Sequence, residues 1–239
     1  MRLKYDIIVV GGGHAGCEAA AAAANLGSAT LLITMDMSKY AQMSCNPAMG
    51  GIAKGQIVRE IDALGGLSGI ISDRSTIQFR MLNLSKGPAM WSPRSQNDRH
   101  VFSALWRDSL ESLKNLDLWQ DVVEEIIIKN DRVTGVKTRI GVLFQSNVVI
   151  LTNGTFLNGL IHIGSSKMAG GRIGELPSVG LTDQLSHAGF KTGRLKTGTP
   201  VRIDGRTVDF SKFIEQPDED SDFTFSFLPG TKSKLKRRS

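Results

Sequence analysis

Two groups of residues in this chain have the types and spacing to do chemistry, and the first is a glycine-rich turn. An apolar run at residues 7–10 leads into Gly11-Gly12-Gly13-His14-Ala15-Gly16 and then into an alanine-rich segment. Strand, G-x-G-x-x-G and helix in this order form the dinucleotide-binding fingerprint. Gly11 allows the tight turn, Gly13 lets the backbone approach a pyrophosphate, and Gly16 lets the helix pack on the strand. We therefore predict that residues 11–16 bind a dinucleotide.

The second group surrounds Cys45, in the sequence M-S-C-N-P-A-M-G-G-I-A-K-G. Asn46 and Pro47 are typical of a helix start, which would place Cys45 at a helix N-terminus. There the helix dipole favours a thiolate, the form that a nucleophile requires. An inert, buried cysteine in a small-residue turn is the alternative interpretation. The predicted helix has one apolar face, made by Ile57, Ile61 and Leu64.

The surrounding elements favour FAD over NAD at the first site. Between residues 125 and 151, short β-rich pieces alternate with turn signals, which predicts a β-meander returning to the main sheet. The pattern resembles flavoproteins of the glutathione-reductase type, whose FAD domain contains such a meander. The fold class is therefore α/β, a Rossmann-like FAD-binding domain with a β-meander, plus the start of an inserted α/β domain. That resemblance places the backbone of Val123 against the adenine. Asp36 either binds the ribose or is a solvated loop carboxylate.

Composition indicates an ordinary globular enzyme of the cytoplasm. Of the 239 residues, 41% are hydrophobic and 22% are charged, and the longest apolar runs are too short for a membrane span. The first strand begins so close to Met1 that we expect no signal peptide. Cys17 and Cys45 form no disulfide framework, and no cluster has metal-ligand spacing. The net charge of +6 permits an anionic macromolecular partner.

Further sequence blocks give the chain a family resemblance. They are I-Q-F-R-M-L-N at residues 77–83, S-K-G-P-A at 85–89, R-x-Q-x-D-R at 94–99, T-x-G-T-F-L at 152–157, I-H-I-G at 161–164, G-G-R at 170–172 and G-R-L-K-T-G-T-P at 193–200. With the Cys45 block they make the chain resemble the GidA/MnmG family over residues 5–210. The resemblance implies an FAD-dependent enzyme that modifies the wobble uridine of tRNA.

The resemblance also implies a chemistry and a set of partners. FAD, reduced by NADH, would act with methylene-tetrahydrofolate and glycine or ammonium to build a (carboxymethyl)aminomethyl group on uridine C5. Attack of the Cys45 thiolate on C6 would activate C5, although the family has a second functional cysteine beyond residue 239. Ser178 is expected to contact FAD. A GTPase partner of the TrmE/MnmE type and a homodimer are also expected.

The same resemblance predicts a domain division and an incomplete chain. Residues 1–196 would belong to the FAD-binding domain and residues 197–239 to the start of the inserted domain. Family members continue well past this point, so we expect an N-terminal fragment that is inactive alone. Most of the NADH site would lie outside it.

Six basic residues are predicted to contact tRNA. Three belong to a polar segment, residues 85–98, and the helix start after it, and we expect that segment to be a loop beside an amphipathic helix. Solvated or carboxylate-paired roles remain open for each residue, and two arginines could instead face FAD phosphates. The six residues are Lys86, Arg94, Arg99, Arg172, Arg194 and Lys196.

Two other enzyme classes remain as alternatives. One is the folate- and FAD-dependent methyltransferase that acts on a uridine of the tRNA T loop, although we would not expect it to contain the Cys45 block or residues 194–200. The other is a small-molecule flavin oxidoreductase, in which the basic residues would bind a dicarboxylate. A non-catalytic FAD-binding module is a further alternative.

Overall fold

The structure is a computed structural model, and it describes residues 2–219 and 222–238. The strands in chain order are β1 Ile7–Val10, β2 Thr30–Thr34, β3 Ala48–Gly50, β4 Thr76–Leu82, β5 Ser92–Asn97, β6 Leu116–Gln120, β7 Val123–Lys129, β8 Arg132–Thr138, β9 Leu143–Gln145, β10 Val149–Leu151, β11 Leu160–Ile163 and β12 Ser166–Ala169. The helices are α1 His14–Asn25, α2 Lys54–Ala63, α3 Ser68–Ser75, α4 Arg99–Glu111 and α5 Leu181–His187.

The chain forms two compact units, each made from two stretches of sequence. The first unit comprises Met1–Ala41 and Arg107–Leu195, and the second comprises Gln42–Trp106 and Lys196–Ser239. The predicted division at residue 196 concerns the domains of the complete protein and stays a prediction.

A parallel sheet in the order β10-β1-β2-β6 forms the centre of the first unit. Its strands are rich in Ile, Val and Leu because parallel strands are buried on both faces. Ile8, Leu31 and Ile33 lie fully or almost fully buried in the same core as Val123 and Phe144. This sheet and the helix after β1 confirm the predicted Rossmann-like fold.

The predicted β-meander is also present in the first unit. Strands β7, β8 and β9 form an antiparallel sheet, and β10 then pairs in parallel with β1 through Ile8 and Val149. The turn between β7 and β8 uses Asn130 and Asp131, both with positive φ. These residue types tolerate the left-handed region, which explains why the turn signal could be recognised in the sequence.

The second unit contains an antiparallel sheet in the order β3-β5-β4. Its strand β5 occupies residues that we expected to form a loop, so the prediction for residues 85–98 is wrong in its second half. The reason is pairing with both β3 and β4, which places Arg94 opposite Gly50 and Arg80. Pro93 lies near the start of β5, beyond Arg94, where the pairing with β3 ends, so at this point only β4 pairs with the strand in register.

A buried carboxylate anchors the last part of the second unit. Asp73, on α3, accepts hydrogen bonds from the backbone N–H groups of Phe225 and Ser226 at 2.7 and 2.9 Å. The hydroxyl of Thr231 donates a third bond at 2.8 Å. Burial raises the pKa of Asp73, although the three donors oppose the shift. Asp73 thus fixes the turn at residues 225–231 together with Asp62, which accepts a hydrogen bond from the N–H of Phe227 at 2.8 Å.

The predicted amphipathic helix is confirmed as α4. Phe102, Trp106 and Leu110 lie on its buried side at the spacing of 4 residues that a helix requires. Among the helices of residues 2–219 and 222–238, none combines the length and the apolar character needed to cross a membrane.

Candidate functional site

Internal packing explains three of the four glycines in the loop after β1. Gly11 has φ +108°, and a Cβ there would lie 2.6 Å from the backbone oxygen of Thr152. A Cβ on Gly12 would lie 2.8 Å from Thr34 Oγ1, and one on Gly16 would lie 1.8 Å from the backbone oxygen of Gly11. Side chains at these positions would disrupt the turn and the contact of α1 with β1.

Gly13 differs from its neighbours because the space beside it is open. Its φ is −74°, which any residue can adopt, and a Cβ would meet no protein atom within 4 Å. It is the N-cap residue of α1, and no side chain in the described part of the protein caps that position. The positive dipole end of α1 and the open space beside Gly13 fit a pyrophosphate group. The loop therefore has the shape that a dinucleotide such as FAD requires.

Thr152 fixes this loop, although the sequence analysis did not predict it as a site residue. Its hydroxyl donates to the backbone oxygens of Val10 and Gly11 at 2.9 and 3.0 Å. The residue follows β10, which pairs with β1, so the side chain bridges the ends of two neighbouring strands. The signal in the sequence that could have identified Thr152 is the T-x-G motif directly after β10.

The other residues predicted to bind the cofactor also lie in the first unit. His14 Nε2 is 2.8 Å from the backbone oxygen of Ala41, whereas Ala15 is exposed. Ser178 is buried, and its hydroxyl lies 3.5 Å from the backbone oxygen of Val123. The structure thus brings Val123 and Ser178 together, and their contact with FAD stays a prediction.

Asp36 has partners within its own turn. Its carboxylate accepts bonds from the N–H and hydroxyl of Ser38 at 2.8 and 2.6 Å and pairs with Lys39 at 3.0 Å. The bonds from Ser38 and the neighbouring ammonium lower the pKa of Asp36. The carboxylate therefore stabilises this turn, and its binding to a ribose stays a prediction.

Cys45 does not lie at a helix N-terminus, so that part of the sequence prediction is wrong. Residues 48–50 form β3, and α2 begins only at Lys54. The cause is non-local: β3 pairs with β5, and Gly50 and Gly51 adopt positive φ values of 83° and 94°. The predicted stabilisation of a Cys45 thiolate by the helix dipole is therefore wrong as well.

The predicted apolar face of α2 is wrong as well. Gly55, Val58 and Asp62 are the buried residues of this helix, whereas Ile57 and Leu64 are 52% and 90% exposed. A Cβ on Gly55 would lie 2.7 Å from the backbone oxygen of Pro93, so the helix packs on the sheet through its small residue.

The two cysteines lie in contrasting surroundings. Cys17 is buried in α1, its thiol donates to the backbone oxygen of Gly12 at 3.3 Å, and burial raises its pKa to about 12. Cys45 is exposed, and its Sγ lies 3.4 Å from Thr199 Oγ1. Of these two thiols, Cys45 is therefore the one that solvent reaches, and its catalytic role stays a prediction.

The six basic residues predicted to contact tRNA divide between the two units. Lys86, Arg94, Arg99 and Lys196 belong to the second unit, whereas Arg172 and Arg194 belong to the first. Arg172 pairs with Glu175 at 3.9 Å and lies over the ring of Phe156. Arg194 donates to the backbone oxygen of Asn158 at 2.8 Å. A contact of any of the six with tRNA stays a prediction.

Two further cations accompany Arg94 in the second unit. Arg80 is its cross-strand neighbour, and Lys54 donates to the backbone oxygen of Ala48 at 3.2 Å. Burial of the ammonium lowers the pKa of Lys54, and repulsion from Arg94 lowers it further. The repulsion between Lys54 and Arg94 is unfavourable alone and suits an anionic ligand, whereas the charge of Arg80 is paired with Glu219 at 3.5 Å. In residues 2–219 and 222–238, no group of His, Cys, Asp and Glu could hold a metal ion.

Fold and loop together define a Rossmann-like dinucleotide-binding protein. Comparison with known proteins narrows this class, because the model of the family "Glucose inhibited division protein A" matches residues 6–238. The chain belongs to this GidA family.

Relatives and solved structures agree with the family. The chain is 63% identical over 239 residues to the tRNA uridine 5-carboxymethylaminomethyl modification enzyme MnmG of Parabacteroides distasonis, covering 100% of this chain and 38% of the relative. It is 62% identical over 236 residues to the enzyme of the same name from Cytophaga hutchinsonii, covering 99% and 38%. The structure of Aquifex aeolicus GidA in its form I crystal matches with a TM-score of 0.92 at 47% identity, covering 96% of this chain and 38% of that one. The chain thus spans 38% of the length of these relatives.

Proposed function

We propose that the complete protein is a flavin-dependent enzyme that builds a (carboxymethyl)aminomethyl group on C5 of the wobble uridine of tRNA. The observation that carries this proposal is the identity of 62–63%, along 99–100% of the chain, to relatives named for that modification. These names favour it over T-loop methylation and over small-molecule oxidation.

FAD is the cofactor we propose for the loop at residues 11–16. The open space at Gly13 and its position at the N-terminus of α1 support a bound pyrophosphate. Val123 and Ser178 are proposed to contact the same cofactor. When bound, the flavin supplies hydride transfer, with NADH as the reductant and methylene-tetrahydrofolate as the one-carbon donor. Glycine or ammonium would supply the amine.

Cys45 is the residue we propose to act on the base. Addition of its thiolate to uridine C6 moves an electron pair onto O4 and C5, which makes C5 a nucleophile toward the one-carbon unit. Loss of the C5 proton and departure of the thiolate from C6 then restore the uracil ring. The exposure of the Cys45 thiol supports this role.

The partners are proposed from the same family membership. They are tRNA, a GTPase of the TrmE/MnmE type and a second copy of the protein in a homodimer, all in the cytoplasm. The pair of cations Lys54 and Arg94 and the exposed Lys86 support binding of a phosphate backbone. The domain division at residue 196 also belongs to this proposal.

Nucleoside mass spectrometry of tRNA tests the proposed function. A strain lacking the gene is rescued with the complete gene, with Cys45→Ser, or with Cys17→Ala as the matched control. We expect the wild type and Cys17→Ala to restore the modified wobble uridine and Cys45→Ser to fail. A wobble uridine that is unchanged in the deleted strain would falsify the proposal, and loss of T-loop methyluridine would favour the methyltransferase instead.

A further inference from the structure

Two segments far apart in sequence meet at Cys45 within the second unit. Cys45 Sγ lies 3.4 Å from Thr199 Oγ1. The guanidinium of Arg202 donates from Nη2 to the backbone oxygens of Ser44 and Cys45 and from Nη1 to that of Pro200 at 3.2 Å. One arginine therefore ties the backbone of Cys45 to the segment that contains Thr199.

The contact between Cys45 and Thr199 depends on the charge of the sulfur. While the thiol is protonated, either atom can donate the hydrogen bond. A thiolate can only accept, so the Thr199 hydroxyl must then donate, and the bond becomes charge-assisted. Hydrogen bonds of this kind are about twice as strong as neutral ones. Thr199 thus stabilises the form of Cys45 that attacks.

We propose that Thr199 and Arg202 are positioning residues that hold the Cys45 sulfur in place and stabilise the thiolate when it forms. Thr199 supplies the hydrogen bond, and Arg202 keeps the backbone of Cys45 beside it. The inference rests on the proposed function, in which Cys45 attacks uridine. The hydrogen bond from Thr199 takes the place of the helix dipole expected from the sequence, because α2 begins at Lys54, nine residues after Cys45.

The rate of alkylation of Cys45 by iodoacetamide, measured against pH in the complete protein, tests the proposal. Mass spectrometry of the digested protein separates Cys45 from every other cysteine. Thr199→Val removes the donor, so we expect the profile to move to higher pH and the rate at pH 7 to fall about fivefold. Thr199→Ser retains a donor and should restore the wild-type profile. Arg202→Met should act in the same direction and so provides an independent test.

The outcomes separate this inference from the proposed function. A wild-type pH profile in Thr199→Val overturns the inference, whatever the tRNA contains. A uniform decrease in rate at all pH values also overturns it, because a merely structural role would have that effect. If the profile moves as expected but Cys45→Ser still modifies wobble uridine, Thr199 does position the thiol and the proposed role of Cys45 fails.

Discussion

Thr152 provides the sharpest test of how the dinucleotide loop is held. Thr152→Val keeps the shape of the side chain and removes the hydroxyl that bonds to Val10 and Gly11. It also places a methyl group where Oγ1 lies 2.9–3.0 Å from two carbonyl oxygens, which is closer than an ordinary carbon–oxygen contact. Both effects loosen the turn at Gly11.

The expected magnitude follows from the lost hydrogen bond and the added methyl contact. The hydroxyl has one proton, which the oxygens of Val10 and Gly11 share, so the variant loses one bifurcated hydrogen bond, worth about 0.5–1.5 kcal/mol net. The oxygen of Val10 keeps its bond from the Thr152 N–H at 2.9 Å, which limits the loss at that end. We therefore expect the free energy of unfolding to fall by about 2 kcal/mol. A loop that is less preorganised should also bind FAD about tenfold more weakly.

Urea denaturation and titration of the apoprotein with FAD measure these two effects. Thr152→Ser retains the hydroxyl and should lie near the wild type in both assays. Thr134→Val on β8 removes a similar bond, to the backbone oxygen of Ile127 at 3.2 Å, and should leave FAD affinity unchanged. Unchanged stability and unchanged FAD affinity in Thr152→Val would refute the role given to the hydroxyl.

Three further predictions concern the loop, the thiols and the buried carboxylate. Gly13→Ala should leave the free energy of unfolding, measured in urea, within about 0.5 kcal/mol of wild type, since its Cβ meets no protein atom, while FAD affinity falls at least about tenfold. Gly16→Ala should instead lower stability in the same assay, because its Cβ would lie 1.8 Å from a carbonyl oxygen. At pH 8 iodoacetamide should label Cys45 but not Cys17, whose pKa is raised to about 12, and equal labelling of both in the native protein would contradict the burial of Cys17. Asp73→Asn should cost about 2 kcal/mol in urea denaturation, because an amide cannot accept all three bonds. The raised pKa of Asp73 means that the folded state binds its proton more tightly, so wild-type stability relative to Asp73→Asn should fall as pH rises from the ordinary carboxyl range to the raised value.

Local sequence signals predicted the first unit well. The apolar strand, the glycines and the alanine-rich helix lie consecutively in the chain, so their geometry depends on neighbouring residues. The meander follows the same logic, since Asn130 and Asp131 impose the turn between two adjacent strands. GidA family membership, derived from motif blocks, is also confirmed.

The second unit could not be predicted in the same way because its elements depend on distant partners. Asn46 and Pro47 have the types of a helix start, yet β5, some 45 residues later, converts the following residues into a strand. Thr199 and Arg202 reach Cys45 from more than 150 residues away. No local pattern contains such contacts, so the helix dipole was the only source of thiolate stabilisation that the sequence could suggest.

The glycines of the loop show what geometry adds to a motif. In the sequence fingerprint all four glycines have the same weight. The structure shows that three of them are required by the packing of the protein itself and that the fourth is not. Gly11, Gly12 and Gly16 are each surrounded by protein atoms within 3 Å of a hypothetical Cβ. Gly13 has an ordinary φ and open space beside it, so nothing within the described chain requires a glycine there. The proposed dinucleotide would account for a glycine at that position. Among the glycines of the loop, Gly13 is therefore the one whose substitution tests dinucleotide binding most directly.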